Sequence, residues 1–447
     1  MAEYSGPLFR DDNDGYKIED ELLPVPATGA EAGELVSLDF IPAFQSFSAS
    51  NEQQLAYLLL IIRTGVTHQN LRNPLNVCLV IDQSSSMRGE KLFSVKSAAK
   101  RVVDQLTSND YFTLISFNDR ATIVVNCQKV VSRETIKSQI DLIDAKGGTE
   151  LAQGLFSGIN EMKPAAGMTD LNYLLLLTDG QTYGDAERCV HLGNEAARHK
   201  IVIHPMGIGA DWNEDLLETV AARSGGSSEY IETADQIVKV FMQKISQFRA
   251  TLANDATLIY RPVPGAKIRQ VHRTSPNIGD LELTTDPNTS MGVVMLGPLG
   301  MSTEYKLLIE TLVPPCPAGA YRMADISLNY SETEGRHEKH AVNLAIGFNF
   351  IEPSKPTAVN SEVKTLIEKI SAFKLQARAW QDIANGDIES GTKRLSAVGS
   401  RLLSMGEVDL AAQVKAEVQN LEQRGTTSAE GKKRIKYGTR GLTGSIE

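Results

Sequence analysis

Between residues 73 and 248 short apolar runs alternate with amphipathic segments. NVCLVID, YFTLISFN, ATIVVNC, LNYLLLLTD and IVIHPMGIG have the length and apolar content of strands. EKLFSVKSAAKRVVDQL, RETIKSQIDLI, ELAQGLFSGINEM, DAERCVHLGNEAARHK, EDLLETVAARSG and ADQIVKVFMQKISQF repeat apolar residues at helical spacing. Strand and helix in alternation predict βαβ units, a mostly parallel sheet with helices on both faces. CLVI, LLLL and IVIHPM show no polar alternation, so they suit central strands buried on both sides.

The flanks have another rhythm. From 249 to 352, DATLIYRPV, AKIRQVHR, TEYKLLIETLV, YRMADISLNYS and EKHAVNLAIGFNF are strand-like and separated by Gly, Pro or Asn. That pattern predicts an antiparallel β-sandwich. Residues 35–72 contain VSLDFIPAF and QQLAYLLLIIRTG, also strand-like, which are expected to complete the same sandwich. The α/β domain is then inserted in the sandwich, or in a simpler arrangement is followed by it. Within 357–423, Val363, Leu366, Ile367, Ile370, Phe373, Ala377 and Trp380 keep helical spacing, and NGD and MGE divide the stretch into about three helices. A small helical bundle is expected there. Residues 424–447 carry Lys432, Lys433, Arg434, Lys436 and Arg440 without an apolar repeat and read as a basic tail. Residues 1–34 are acidic and read as largely disordered, docking through Leu8 and Phe9.

Composition narrows the function classes. A chain of 447 residues with 42% hydrophobic and 22% charged residues has material for several globular domains. Its 45 Lys and Arg against 55 Asp and Glu leave a net charge of −10, which argues against nucleic-acid or anionic-membrane partners. No basic start with an apolar run marks a secretory signal, and no apolar stretch reaches the roughly 20 residues of a membrane span. Four scattered cysteines (Cys78, Cys127, Cys189, Cys316) fit buried thiols in a reducing compartment, so a cytoplasmic location is expected.

The chemistry concentrates in three segments. Asp82-Gln83-Ser84-Ser85-Ser86 ends the first α/β strand, setting one carboxylate and two hydroxyls at alternate positions. Gly147-Gly148-Thr149 precedes a helix, and Leu177-Thr178-Asp179-Gly180 ends the most apolar strand. The carboxyl edge of an open α/β sheet is where ligands bind, and such oxygens are hard ligands suited to Mg²⁺, Mn²⁺ or Ca²⁺. Together DxSxS, GGTE and TDG resemble the metal-ion-dependent adhesion site of von Willebrand factor type A domains, over residues 73–248. The resemblance implies a Rossmann-like sheet and Mg²⁺ on Asp82, Ser84, Ser86, Thr149 and Asp179, some through water. It also implies a partner protein that presents an Asp or Glu to the ion. Ser85 stands where many members have Gly, which takes some freedom from that turn. Gln181, Thr182, Tyr183 and Asp211 are candidate contacts at the site edge.

Other signals are weaker. Gly207-Ile208-Gly209-Ala210 lacks the further glycine of a dinucleotide fingerprint and reads as a turn, and His337-Glu338-Lys339-His340 reads as a solvated loop. In the tail, Thr439 with Leu442 three residues on resembles a phosphothreonine ligand of forkhead-associated domains, with upstream basic residues to suit a kinase. The expected function is a non-catalytic, Mg²⁺-dependent interaction or scaffold module in bacterial signalling or complex assembly. Its rivals are a metal-dependent hydrolase, which lacks an evident base, and a surface adhesin or channel-accessory protein.

Overall fold

The computed structural model describes residues 35–65, 74–182, 184–332, 339–353 and 358–442. The expected docking by Leu8 and Phe9, and Tyr183 at the site edge, lie outside them.

The α/β domain comprises β4 (Leu75–Asp82), α1 (Glu90–Gln105), β5 (Tyr111–Phe117), β6 (Ala121–Lys129), α2 (Arg133–Asp141) and α3 (Leu151–Ala166). It continues with β7 (Leu171–Thr178), α4 (Ala186–Arg198), β8 (Ile201–Ile208), α5 (Glu214–Ser224), β9 (Glu229–Ile231) and α6 (Ile237–Arg249). The six strands form one sheet in the order β6-β5-β4-β7-β8-β9, parallel except for β6, which turns back antiparallel to β5. The uninterrupted apolar runs follow from helices on both faces. Val77, Leu79 and Leu175 pack towards Val95 and Val102 of α1, Ile136 of α2 and Phe241 of α6. Their neighbours Cys78, Val80 and Leu174 point the other way, to Leu155 of α3, Leu192 of α4 and Val220 of α5. Each such buried side chain stabilises the fold by about 1.5–3 kcal/mol relative to exposure.

Two further sheets form the sandwich. They are built from β1 (Val36–Pro42), β2 (Phe47–Ser48), β3 (Gln54–Thr64), β10 (Thr251–Pro262), β11 (Lys267–Ser275), β12 (Gly279–Leu281) and β13 (Leu283–Thr285). The remaining strands are β14 (Gly292–Gly300), β15 (Glu304–Val313), β16 (Gly319–Ser331) and β17 (Lys339–Ile351). One sheet runs β1-β3-β15-β11-β12, the other β13-β14-β10-β16-β17-β2. β3 lies antiparallel between β1 and β15, with Leu60 opposite Leu307 and Leu58 opposite Ile309. Strands from before and after the α/β domain therefore share one sheet, and that domain is an insertion. His340 belongs to β17, its ring stacked on Tyr330, rather than to a loop.

Helices α7 (Ser361–Ala384), α8 (Ile388–Ser404), α9 (Val408–Arg424) and α10 (Ala429–Arg440) follow the sandwich. They explain why β3 is apolar on both faces. Leu58, Leu60 and Ile62 fill the sandwich interior, whereas Leu59 and Ile61 join Leu308 against Val363, Leu366 and Ile370 of α7. The basic tail expected from residue 424 onward is thus corrected: its central part is α10. Ser428 caps that helix by accepting from Gly431 N–H at 2.9 Å, and Glu417 of α9 fixes Ser428 through its N–H at 2.7 Å.

Candidate metal centre

The carboxyl ends of β4 and β7 lie side by side because Ile81 pairs with Leu177. That register sets Asp82 next to Thr178. Thr178 Oγ1 donates to Asp82 Oδ2 at 2.6 Å, and Ser84 N–H donates to Oδ1 at 2.7 Å. Burial pushes the Asp82 carboxyl above its ordinary value, against the lowering effect of these bonds, and the charge of Asp179 adds to the rise. A fully buried carboxylate without an ion pair is costly, so its retention points to a cation.

A chain of oxygens leads outward from there. Ser84 Oγ lies 3.0 Å from Ser86 Oγ, which donates to Asp179 Oδ1 at 2.6 Å. Thr149 approaches from the turn before α3: a Cβ placed on Gly180 would stand 3.2 Å from Thr149 Oγ1, so glycine there allows the close approach. The loops are laced together by Lys146 N–H to Gln83 O at 2.7 Å and Ser85 N–H to Gly147 O at 3.1 Å. The Ser85 hydroxyl also donates to Gly147 O, at 3.1 Å. Ser85 lies in a short 3-10 turn and is not among the described residues with positive φ, so glycine is not required of it.

All five predicted ligand residues converge on this edge of the sheet. Ser84, Ser86 and Thr149 line an open pocket of about 450 Å³ with Ser85, Asp119, Gly147, Gly148, Glu150 and Gln181, while Asp82 and Asp179 are buried outside its lining and bond to Ser84 and Ser86. Two carboxylates and three hydroxyls are a donor set that fits a hard divalent cation. Of the predicted edge contacts, Gln181 lines the pocket. Thr182 is used structurally instead, accepting from Leu151 N–H at 3.1 Å at the start of α3 and donating to Asp185 Oδ1 at 2.5 Å. Asp211 is not part of the lining.

Three charged residues of the site escaped sequence reasoning. Asp119 accepts from Gly148 N–H at 3.1 Å, and Glu150 accepts from Gln153 Nε2 at 3.1 Å. Lys91 Nζ donates to Asp179 Oδ2 at 2.5 Å. Asp119 follows the carboxyl end of β5, the same edge as Asp82 and Asp179. That position is the signal that could have found it.

The sequence profile of the von Willebrand factor type A domain matches residues 76–243, and that of the Sll0103-like C-terminal alpha-helical domain matches residues 361–445. The uncharacterized protein sll0103 of Synechocystis sp. is 32% identical over 302 residues, covering 66% of this chain and 71% of that protein. The chain belongs to the von Willebrand factor type A family. Inter-alpha-trypsin inhibitor heavy chain H1 of Sus scrofa is 28% identical over 198 residues, 41% of this chain, which spans about a fifth (22%) of that protein's length. Among solved structures, a von Willebrand factor type A protein from Catenulispora acidiphila superposes with a TM-score of 0.75 at 18% identity. It covers 92% of this chain and 98% of its own. The ArnB paralog VWA2 from Sulfolobus acidocaldarius gives a TM-score of 0.55 at 15% identity, over 93% and 100%. At these identities both show the fold: a type A domain, accompanying strands and a helical end.

The Sll0103-like domain includes α10, which carries the predicted phosphosite. Thr439 is fully buried, donating to Gln376 Oε1 at 3.3 Å and to Lys436 O at 3.0 Å. In this fold its hydroxyl faces the α7 side chain Gln376 rather than solvent. The basic residues around it bind the type A domain. Lys433 Nζ donates to Ala210 O at 2.6 Å and lies 4.8 Å from the centre of the Trp212 ring, Lys432 pairs with Glu214, and Lys436 and Arg440 pair with Glu218. No helix among the described residues is long and apolar enough to cross a membrane.

Proposed function

We propose that this chain is a non-catalytic interaction module whose type A domain binds Mg²⁺, with Mn²⁺ or Ca²⁺ as substitutes, and captures an acidic side chain of a partner protein. The observation that carries the reading is the continuous run of hard oxygens from buried Asp82 through Ser84 and Ser86 to Asp179, opening into a solvent pocket beside Thr149. Asp82, Ser84, Ser86, Thr149 and Asp179 would hold the ion, which when bound supplies an electrophilic position for an outside carboxylate. The protein prepares that position. Thr178 and Ser84 N–H fix the Asp82 carboxylate, Ser86 orients Asp179, and Gln181 offers an amide at the rim.

The sandwich and helical domain serve as scaffold, and signalling or complex assembly in the bacterial cytoplasm is the setting we infer. Hydrolysis is less well supported. The pocket lining contains no histidine or cysteine, and its rim carboxylates Asp119 and Glu150 are engaged by Gly148 and Gln153.

Calorimetric titration with Mg²⁺ and Mn²⁺ tests the reading. The native chain should bind one ion, and Asp82→Ala should lose that binding while keeping the native circular dichroism spectrum. Immobilised acidic peptides should then be retained by the loaded native chain and released by chelator. A native chain that binds neither ion at millimolar concentration would refute it.

A further inference from the structure

Lys91 occupies the second position of α1, where the positive end of the helix dipole disfavours a cation. Its placement there is offset by Asp179. Nζ donates to Asp179 Oδ2 at 2.5 Å, while Oδ1 receives the Ser86 hydroxyl at 2.6 Å. The Asp179 side chain is fully buried and that of Lys91 is 36% exposed, so an ammonium at the start of α1 reaches inward to a buried carboxylate.

The charge balance makes this contact consequential. Asp82 and Asp179 together contribute two negative charges to the candidate centre, and Lys91 cancels one of them. A divalent ion would therefore leave the centre one unit positive, where without Lys91 it would be neutral.

Resting on the metal-binding reading above, we propose that Lys91 is a built-in counter-cation that lowers the affinity of the centre for its divalent ion and thereby reserves positive charge for an acidic partner group. The competing role is orientation alone, with the ammonium serving as a hydrogen-bond donor that aims Asp179.

Titration of the full-length chain with Mn²⁺, followed by the electron paramagnetic resonance signal of free ion, separates the two. Lys91→Gln keeps a donor and removes the charge, Lys91→Met removes both, and Lys91→Arg keeps both. A counter-cation requires tighter Mn²⁺ binding in Lys91→Gln and Lys91→Met, by about tenfold or more, with Lys91→Arg close to native. Unchanged or weaker binding in Lys91→Gln overturns the inference and leaves the metal site standing. Absence of Mn²⁺ binding by the native chain overturns the site itself, and the inference with it. Melting each variant without added metal confirms folding.

Discussion

Thr178 and Asp82, 96 residues apart in sequence, are joined by a hydrogen bond of 2.6 Å across the ends of two parallel strands. The hydroxyl is the donor that steadies the inner oxygen of a buried carboxylate. Thr178→Val keeps the shape and removes the donor, leaving that oxygen unpaired. The expected result is a loss of about 1–3 kcal/mol of stability and weaker Mn²⁺ binding, read from urea unfolding and metal titration. Native values for both would show that Thr178 does not support the centre.

Asp110 ties together the two ends of the inserted domain, Leu75 and Arg249. Asp110 precedes β5 and Arg249 closes α6, just before the chain enters β10. Arg249 Nη1 donates to Asp110 Oδ1 at 3.1 Å and Nη2 donates to Oδ2, while Leu75 N–H donates to Oδ1 at 2.8 Å. Burial alone would raise the Asp110 carboxyl, but the Arg249 bonds and the amides of Leu75 and Thr107 outweigh it and hold it below 3.8. A lowered carboxyl stabilises the fold above its ordinary value and loses that contribution as pH falls through the folded value. Asp110→Ala should cost about 3–5 kcal/mol at neutral pH, because it leaves a partly buried guanidinium unpaired. The deficit relative to native should shrink below pH 3.8, as measured by unfolding across pH.

His272 of β11 is fully buried between Asp280 and Glu310, with Nδ1 2.6 Å and Nε2 3.1 Å from their carboxylates. Lys374 of α7 donates to the same Glu310 oxygen at 2.7 Å, so this cluster joins the sandwich to the helical domain. Burial would lower the imidazole, but the two carboxylates prevail over it and over the Lys374 charge and raise it above 6.5. Chiefly the His272 bond holds Glu310 down, at about 2. A raised histidine stabilises fully below 6.5 and loses its contribution as pH rises through the folded value. A lowered glutamate stabilises above 4.5 and loses its contribution as pH falls towards 2. The native melting temperature should therefore decline as pH climbs above 6.5, and His272→Gln should flatten that decline. A native protein whose stability is level from pH 6.5 upward would contradict the assignment.

Lys433 fastens the last helix to the type A domain. Its side chain is almost fully buried, its Nζ lies 3.2 Å from a Glu214 oxygen, and it covers Trp212. Burial lowers the Lys433 ammonium, and Glu214 works against that. Lys433→Ala should leave the type A core folded while α10 loosens. The expected signature is faster amide exchange in 429–440, with exchange in β4 and β7 unchanged. Equal protection of α10 in both proteins would place its attachment elsewhere.

The type A domain was legible because its strands are buried on both faces and its helices repeat apolar residues, both local properties of the sequence. The five candidate ligands were legible for the same reason, since they fall in three short motifs, two at strand ends and one in the turn before α3. α10 was missed because it docks by charge: its fully or almost fully buried residues are Lys433, Ile435 and Thr439, too little apolar content for a periodic signal. Lys91 joins the site only through the packing of α1, whereas Asp119 and Glu150 stand beside positions the sequence marks, the carboxyl end of β5 and Thr149. Gly207 falls at the end of the strand run IVIHPMGIG and lies within β8, where a Cβ would come 2.0 Å from the Trp212 ring. The requirement is set by the way Trp212, in the loop that follows, folds back over the strand end and bonds Gly209 O.

The insertion has a consequence for the order in which the chain can assemble. β3 pairs with β15 from Gln54–Val313 to Arg63–Glu304, and even the nearer of these pairs, Arg63 bonded to Glu304, is separated by 241 residues. During synthesis β1 and β3 emerge long before that partner exists. Their apolar faces must wait while the whole type A domain leaves the ribosome, and closing so long an unstructured loop would be slow. Folding of the inserted domain first shortens that loop, because its two ends then lie close together, as the Asp110–Arg249 and Asp110–Leu75 bonds show. A folded type A domain thus holds the two flanking halves of the scaffold within reach of each other.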